Sequence, residues 1–466
     1  MKIAFLDLSD RNYSIESVYQ IPMGGSESAL CYLAEALAKL GHKVWLFNNI
    51  FAAVISRGVM CVPVNSVTNE LLQNLDALIV LNMAIAGTKI KPLIGKQTRL
   101  ILWTQHAPDQ PAVSALQNSE ERDIYDAFAF VSEWQRQKYI EQFNINLNKT
   151  GILRNAISPS FYKLFSKEIS IITQKTKPPV LAYTSTPFRG LDILVEIFPK
   201  IRQAIPGTTL KVFSSMKVYQ LADADNEYKL LYQQCQNTEG IEYIGSIPQP
   251  ELSAQLKLVT ALVYPNHYPE TSCIAVMEAM ASGCYVITSN LAALPETSAG
   301  FGSLISGENP EEYKKHFIEE AIKILKEYVN FEHYLKQQVE YVNIFCIWPV
   351  RAHEWIEWLN QIGDVQKLAY TAFLKGNYGE AAKLYEQKIE ENSEILSNYW
   401  YLGLTYFLNG EELDAETTWM LALSNSQPEE VEEFIGILQT EAERQKSLLN
   451  YQISERLLQC ISEIVN

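Results

Sequence analysis

Short apolar runs alternate with helical patterns twice over in the first 360 residues, and this rhythm constrains the fold more than any other feature. Strands are expected at 2–8, 43–47, 77–81, 99–103 and 127–131. Between the first two, Gly24-Gly25-Ser26-Glu27 leads into apolar Ala29, Leu30, Leu33, Leu37 and Leu40 at helical spacing, with Gly41 as a stop. Ser132 to Gln135 is a capping-box pattern that opens a helix over 134–143. A second series is expected at 180–184, 210–213, 242–244, 261–264 and 285–288, each strand trailed by a helical segment. Such alternation implies parallel sheets with helices on both faces. Two such domains in succession leave a cleft where the carboxyl ends of both sheets face one ligand.

A polar stretch over 162–179, ending Lys175-Thr-Lys-Pro-Pro179, is expected to link the two series, and a helix over 350–359 to end the second. Beyond about residue 364 the pattern is purely helical and repeats. Ala381 and Tyr385 recur as Ala415 and Trp419, and Lys375-Gly376 as Asn409-Gly410, all at an offset of 34. With Tyr399, Leu402, Gly403 and Tyr406, the second unit resembles a tetratricopeptide repeat. The expected domains are therefore 1–165, 166–362 and 363–466. Two clear repeats are fewer than independent stability usually requires, so the module is expected to dock on the catalytic body, on a partner protein or on a second copy.

Formal net charge is −16 and the pI about 5.0, which speaks against nucleic acid and, less strongly, against an anionic membrane as partner. The seven cysteines are scattered without metal-ligand spacing, as expected of reduced thiols in a cytoplasmic protein. The amino-terminal apolar run is broken by Asp7 and too short for a signal peptide. No stretch reaches membrane-spanning length.

The segment richest in chemistry is Pro269-Glu270-Thr-Ser-Cys-Ile-Ala-Val-Met-Glu278-Ala-Met-Ala-Ser-Gly283. Glu270 is expected in a loop ahead of a helix and Glu278 about two turns inside it. Thr271 and Ser272 would supply the free N–H groups and partial positive charge of the helix start, a site for phosphate. Two carboxylates bracketing an anion site match the layout of a nucleotide-sugar.

Together with Gly24-Gly25, Phe130-Val-Ser132-Glu133, Arg154-Asn155-Ala-Ile157, Arg189-Gly190-Leu-Asp-Ile-Leu194 and Ile244-Gly245, that segment resembles family 4 retaining glycosyltransferases of GT-B fold over roughly residues 1–360. The resemblance implies an α/β GT-B enzyme of two Rossmann-like domains. It would move a sugar from a UDP- or GDP-sugar to an acceptor hydroxyl with retention, without metal or resident cofactor. It assigns Glu270 to the donor sugar's hydroxyls, Glu278 to the ribose, and Arg189 to the diphosphate. It places Gly24 and Gly25 beside the donor phosphates or acceptor, and His106 near the reacting carbon. Two departures stand out: Thr271-Ser272-Cys273 replaces the common Gly-Phe-Gly, and one of the two usual diphosphate cations is missing, with Lys217 a candidate substitute.

Each of these readings has a plainer rival: surface charge for the glutamates and Arg189, a turn for Gly24-Gly25, a turn cap for His106. His267 is expected to shape the loop, and Tyr399, Tyr406 and Trp419 to form repeat core. Asp223-Ala-Asp225 matches a metal-binding pattern but sits in a polar segment without the accompanying sheet, so coincidence is the better reading. The alternatives to a transferase are an inactive GT-B scaffold that recruits partners through its repeats, and an epimerase or phosphorylase of the same fold.

Overall fold

The computed structural model describes residues 1–219, 227–362, 364–424 and 426–465. The chain forms two compact units, Met1–Trp358 and a second from Leu359 onward.

The larger unit contains two sheets. The first has eight strands in the order β3-β4-β2-β1-β5-β6-β7-β8, namely β1 (Lys2–Leu6), β2 (Lys43–Asn48), β3 (Val54–Ser56), β4 (Val59–Pro63), β5 (Ala77–Leu81), β6 (Arg99–Trp103), β7 (Ala127–Phe130) and β8 (Thr150–Ile152). Only β3 runs antiparallel, on β4. The second sheet is parallel in the order β11-β10-β9-β12-β13-β14, built from β9 (Val180–Tyr183), β10 (Thr209–Val212), β11 (Ile241–Tyr243), β12 (Ala261–Tyr264), β13 (Tyr285–Ser289) and β14 (Ser303–Ile305). Strands covered on both faces need continuous apolar sequence, and β5, β7, β12 and β13 are buried throughout. The ten expected strands form, with ends shifted by a residue or two. β3, β4, β8 and β14 are additional; β3, β8 and β14 have only three residues each and lie at sheet edges, so their apolar pattern is weak.

Strand order reverses between β1 and β5 in the first sheet and between β9 and β12 in the second. Loops after neighbouring strands part at such a point and leave a crevice at the carboxyl edge. The chain passes from first lobe to second near residues 153–161: Leu153 N–H still donates to Phe130 O, while Ile157 and Phe161 already lie in the second lobe's core. The polar stretch after it is not a free linker. Ile171 is buried in the second lobe, and the buried Lys175 ammonium donates to the carbonyls of Lys257 (3.1 Å) and Ser282 (2.6 Å).

The helix expected to end the second series runs over Trp348–Gln361 and packs on the first lobe instead. Trp355 lies edge-on to Trp103 at 5.2 Å, Trp348 lies 6.2 Å from the Tyr32 ring, and Trp358 covers Gly151. The outgoing and returning segments are stitched together: Ile157 N–H donates to Cys346 O (3.0 Å), Trp348 N–H to the Tyr162 hydroxyl (2.9 Å), and Arg351 Nε to Asn155 O (3.2 Å).

The second unit is entirely helical among its described residues: Val365–Leu374, Tyr378–Glu391, Leu396–Leu408, Glu412–Leu423, Pro428–Ser447 and Tyr451–Val465. Each of the first four packs on its neighbour in sequence. Ala381, Tyr385, Ala415 and Trp419 of the repeat all fall in its core, and Trp419 Nε1 donates to Trp400 O at 3.1 Å. Among the described residues no helix is long and apolar enough to cross a membrane. The cysteines are unpaired, and all but Cys460 are buried.

Candidate active site

The crevice between the lobes holds a cavity of about 570 Å³. First-lobe loops after β1 and β6 bring Arg11, Gly24, Gly25, Glu27 and His106 to its wall; second-lobe loops after β9 and β12 bring Arg189, Glu270, Thr271, Ser272 and Glu278. Every site residue expected from the sequence therefore lines one cavity. Lys217 and His267 do not. His267 is exposed, with Nε2 3.7 Å from Asp192. Asp223 and Asp225 lie outside the described residues.

Arg189 and Glu270 are bound to each other. The guanidinium Nη1 donates to Glu270 Oε1 at 2.7 Å, and the Tyr264 hydroxyl at the end of β12 donates to the same oxygen. Glu270 is 4% exposed, so this carboxylate is committed to its partners rather than to bulk water. Burial opposes the charge on Arg189, but Glu270 outweighs it and the arginine stays firmly protonated. Its Nε has no partner, and its guanidinium carbon lies 4.9 Å from the centre of the Tyr268 ring. Gly190 makes this placement possible. Its φ is +97°, and a Cβ there would collide with Pro265 O. Only glycine lets the chain turn so tightly into the helix Leu191–Ala204.

The second glutamate sits differently from expectation. The helix starts at Ile274, with Cys273 as its N-cap, so Glu278 lies just over one turn inside rather than two. Glu278 Oε1 accepts the N–H of Ser158 from the crossover at 3.3 Å. Burial pushes its carboxyl up to about 8, against the Ser158 and Gln249 donors that favour the charged form. The folded state thus holds this proton more tightly than the unfolded chain. The stabilisation is full below the ordinary glutamate range and is lost as pH rises toward 8. Ligand-free protein should therefore show a thermal midpoint that falls more steeply over that interval than in Glu278→Gln; parallel pH profiles would contradict it.

Two helix starts meet at the cavity. Gly24 is the N-cap of the helix Gly25–Lys39, and a Cβ on Gly25 would touch the Ile274 side chain, at the start of the second-lobe helix, at 3.7 Å. Partial positive charge from both lobes is thereby aimed into one space. Thr271 adds a link across it, its hydroxyl donating to Gln105 O at 2.7 Å.

His106 follows β6. Its carbonyl accepts from Gln135 Nε2 (2.8 Å) and from the Tyr139 hydroxyl (2.9 Å), which anchors the loop. Burial and the charges of Arg11 and Arg189 push its imidazole down to about 4, so it is neutral at physiological pH, with Nδ1 unpartnered. Gln135 completes only half of the expected capping box, because its side chain accepts from Val131 N–H and not from the N-cap Ser132 N–H. Its N–H meets the Ser132 hydroxyl (3.1 Å), as a cap requires, while its side-chain amide also reaches Val131 N–H (2.8 Å) and supports His106.

Several contributors carry no sequence signal. Arg11 lies in a polar loop without a motif, Tyr264 reads as strand core, and although Asn155 belongs to the Arg154-Asn155-Ala-Ile157 motif, nothing in the sequence pairs its amide with Gln105 fifty residues away (2.7 and 3.1 Å). Across the cleft, Glu296 accepts the N–H groups of Glu133 (2.9 Å) and Trp134 (3.4 Å) at a first-lobe helix start and pairs with Arg154 (2.6 Å). Among the described residues no cluster of His, Cys, Asp or Glu has the makings of a metal site.

Comparisons with known proteins bear on the fold and on the second lobe. Residues 166–338 match the family described as Glycosyl transferases group 1. A phosphatidylinositol N-acetylglucosaminyltransferase subunit of Arabidopsis thaliana is 22% identical over 337 residues, 65% of this chain and 72% of that protein. Sucrose-phosphate synthase from Thermosynechococcus elongatus has the same fold (TM-score 0.59, 15% identity, 78% of this chain and 99% of that one). So does Anabaena HepE, solved with UDP and glucose (TM-score 0.56, 14% identity, 78% and 100%). The fold of the larger unit is GT-B, and its second lobe carries a group 1 glycosyl transferase domain.

Proposed function

We propose that this chain is a retaining glycosyltransferase of the family 4 type, moving a sugar from a nucleoside diphosphate donor to an acceptor hydroxyl without a metal. The observation that carries the reading is the Arg189–Glu270 pair, its carboxylate buried and its guanidinium half-buried, beside two converging helix starts, with Glu278 on the same wall. Breaking a sugar–phosphate bond leaves negative charge on the departing diphosphate, and fixed donors must already face the place where it develops. Arg189, with its planar fork, and the helix N–H groups suit that task. Glu278 suits ribose hydroxyls, and Glu270, oriented by Arg189 and Tyr264, suits donor-sugar hydroxyls. Neutral His106 offers a donor or acceptor near the reacting carbon without adding charge. Same-face attack by the acceptor hydroxyl is what the resemblance to retaining family 4 enzymes implies.

The helical unit fits a tetratricopeptide module that recruits acceptor or partner, and unpaired thiols suit a cytoplasmic setting. An inactive scaffold gains no support, because the charged residues that transfer needs line a single cavity. A panel of UDP- and GDP-sugars with chelator present, scored for acceptor-dependent product of retained anomeric configuration, tests the proposal. UDP-glucose is the first donor to try, given the UDP and glucose in the Anabaena neighbour. Donor consumption without acceptor would point to the epimerase or phosphorylase reading. Dependence on added divalent cation, or inverted product, would overturn the mechanism.

A further inference from the structure

Among the described residues that line the cavity, two carry a permanent positive charge, and they come from opposite lobes: Arg11 and Arg189. Both are held by a buried carboxylate, Arg189 by Glu270 and Arg11 by Glu27. Glu27 is 4% exposed and belongs to the first turn of the helix Gly25–Lys39, where it packs beneath Gly24; its second oxygen is buried without a partner. Arg11 satisfies only part of its own hydrogen-bonding capacity there, since one Nη meets Glu27 while the guanidinium faces the Tyr219 ring of the second lobe at 5.2 Å. Arg11, Arg189 and His106 line the same cavity, so both charges face one space from opposite lobes.

A nucleoside diphosphate presents more than one negative charge, and Arg189 alone leaves part of it uncompensated. We propose that Arg11 supplies the second cation for the donor diphosphate from the first lobe, with Glu27 as the counter-ion that holds it when the cleft is empty. The inference rests on the nucleotide-sugar reading above. It assigns the missing charge to a first-lobe loop that carries no recognisable motif, and it makes donor binding a contact between both lobes.

Calorimetric titration of the full chain with UDP and UMP, or with GDP and GMP if those are the nucleotides the wild type binds, tests it. Arg11→Ala should weaken the diphosphate by about 10- to 100-fold and the monophosphate by less. Arg11→Lys, which keeps the charge without the fork, should retain part of the affinity. Glu27→Gln is the discriminating variant: freed of its competitor, Arg11 should bind the diphosphate several-fold more tightly than in the wild type. A purely structural ion pair would instead make Glu27→Gln bind more weakly. Unchanged diphosphate affinity in folded Arg11→Ala, or equal losses for mono- and diphosphate, overturns the assignment. If Arg11→Ala does not fold, the direction of change in Glu27→Gln decides. A wild type that binds none of these nucleotides removes the functional reading and this proposal with it, a result distinct from failure of Arg11 alone.

Discussion

Arg189→Ala should lower turnover by about 10²- to 10³-fold, the usual cost of deleting one fixed donor aimed at developing charge. A second loss compounds the first. Glu270 is buried, and without the guanidinium only the Tyr264 hydroxyl still meets it among its side-chain partners. A buried carboxylate stripped of its cation is destabilising, so the variant should also unfold at a lower temperature than the wild type. Arg189→Lys should recover part of the loss, since a point charge restores attraction but not the planar fork. Steady-state kinetics with the donor varied separates the effects: a fall in kcat/KM with little change in nucleotide affinity marks transition-state stabilisation. Undiminished activity in Arg189→Ala would remove this residue from the mechanism.

The largest effect on stability is expected in the returning helix Trp348–Gln361. Trp355 is fully buried between Trp103 and Trp358, with ring centres 5.2 and 5.7 Å away. Trp355→Ala should cost about 3–5 kcal/mol, the range for emptying a large aromatic site in a packed core. The indole N–H has no hydrogen-bond partner, so Trp355→Phe removes an unpaired donor as well as volume and should cost distinctly less. Denaturant unfolding monitored by circular dichroism distinguishes the two. Equal stability in Trp355→Ala and wild type would mean that this helix is not a structural part of the first lobe.

What is legible in the sequence is local. Glu270, Glu278 and the helix between them are contiguous, and Arg189-Gly190 opens the next segment after a strand, so residue order alone places them on one side of a cleft. Gly24, Gly25 and His106 follow first-lobe strands and yield to the same logic. The helix start shifts by part of a turn, because charge spacing suggests a junction but not which backbone N–H groups are free. Arg11 and the Gln105–Asn155 pair stay hidden for a different reason. Each acquires its role only when loops distant in sequence meet at the carboxyl edge of a sheet. The helix Trp348–Gln361 shows the same limit. Periodicity reveals an apolar face, yet nothing in the period says which lobe will cover it.

That returning helix has a mechanical consequence. Because the two stretches of chain that cross between lobes are bonded to each other at Ile157–Cys346 and Tyr162–Trp348, neither can act as an independent swivel. They form a single spine, about which the lobes are expected to part like the covers of a book. A ligand gripped from both covers would therefore be released by unbending that spine, a seam that reaches the cavity wall where Ser158 meets Glu278.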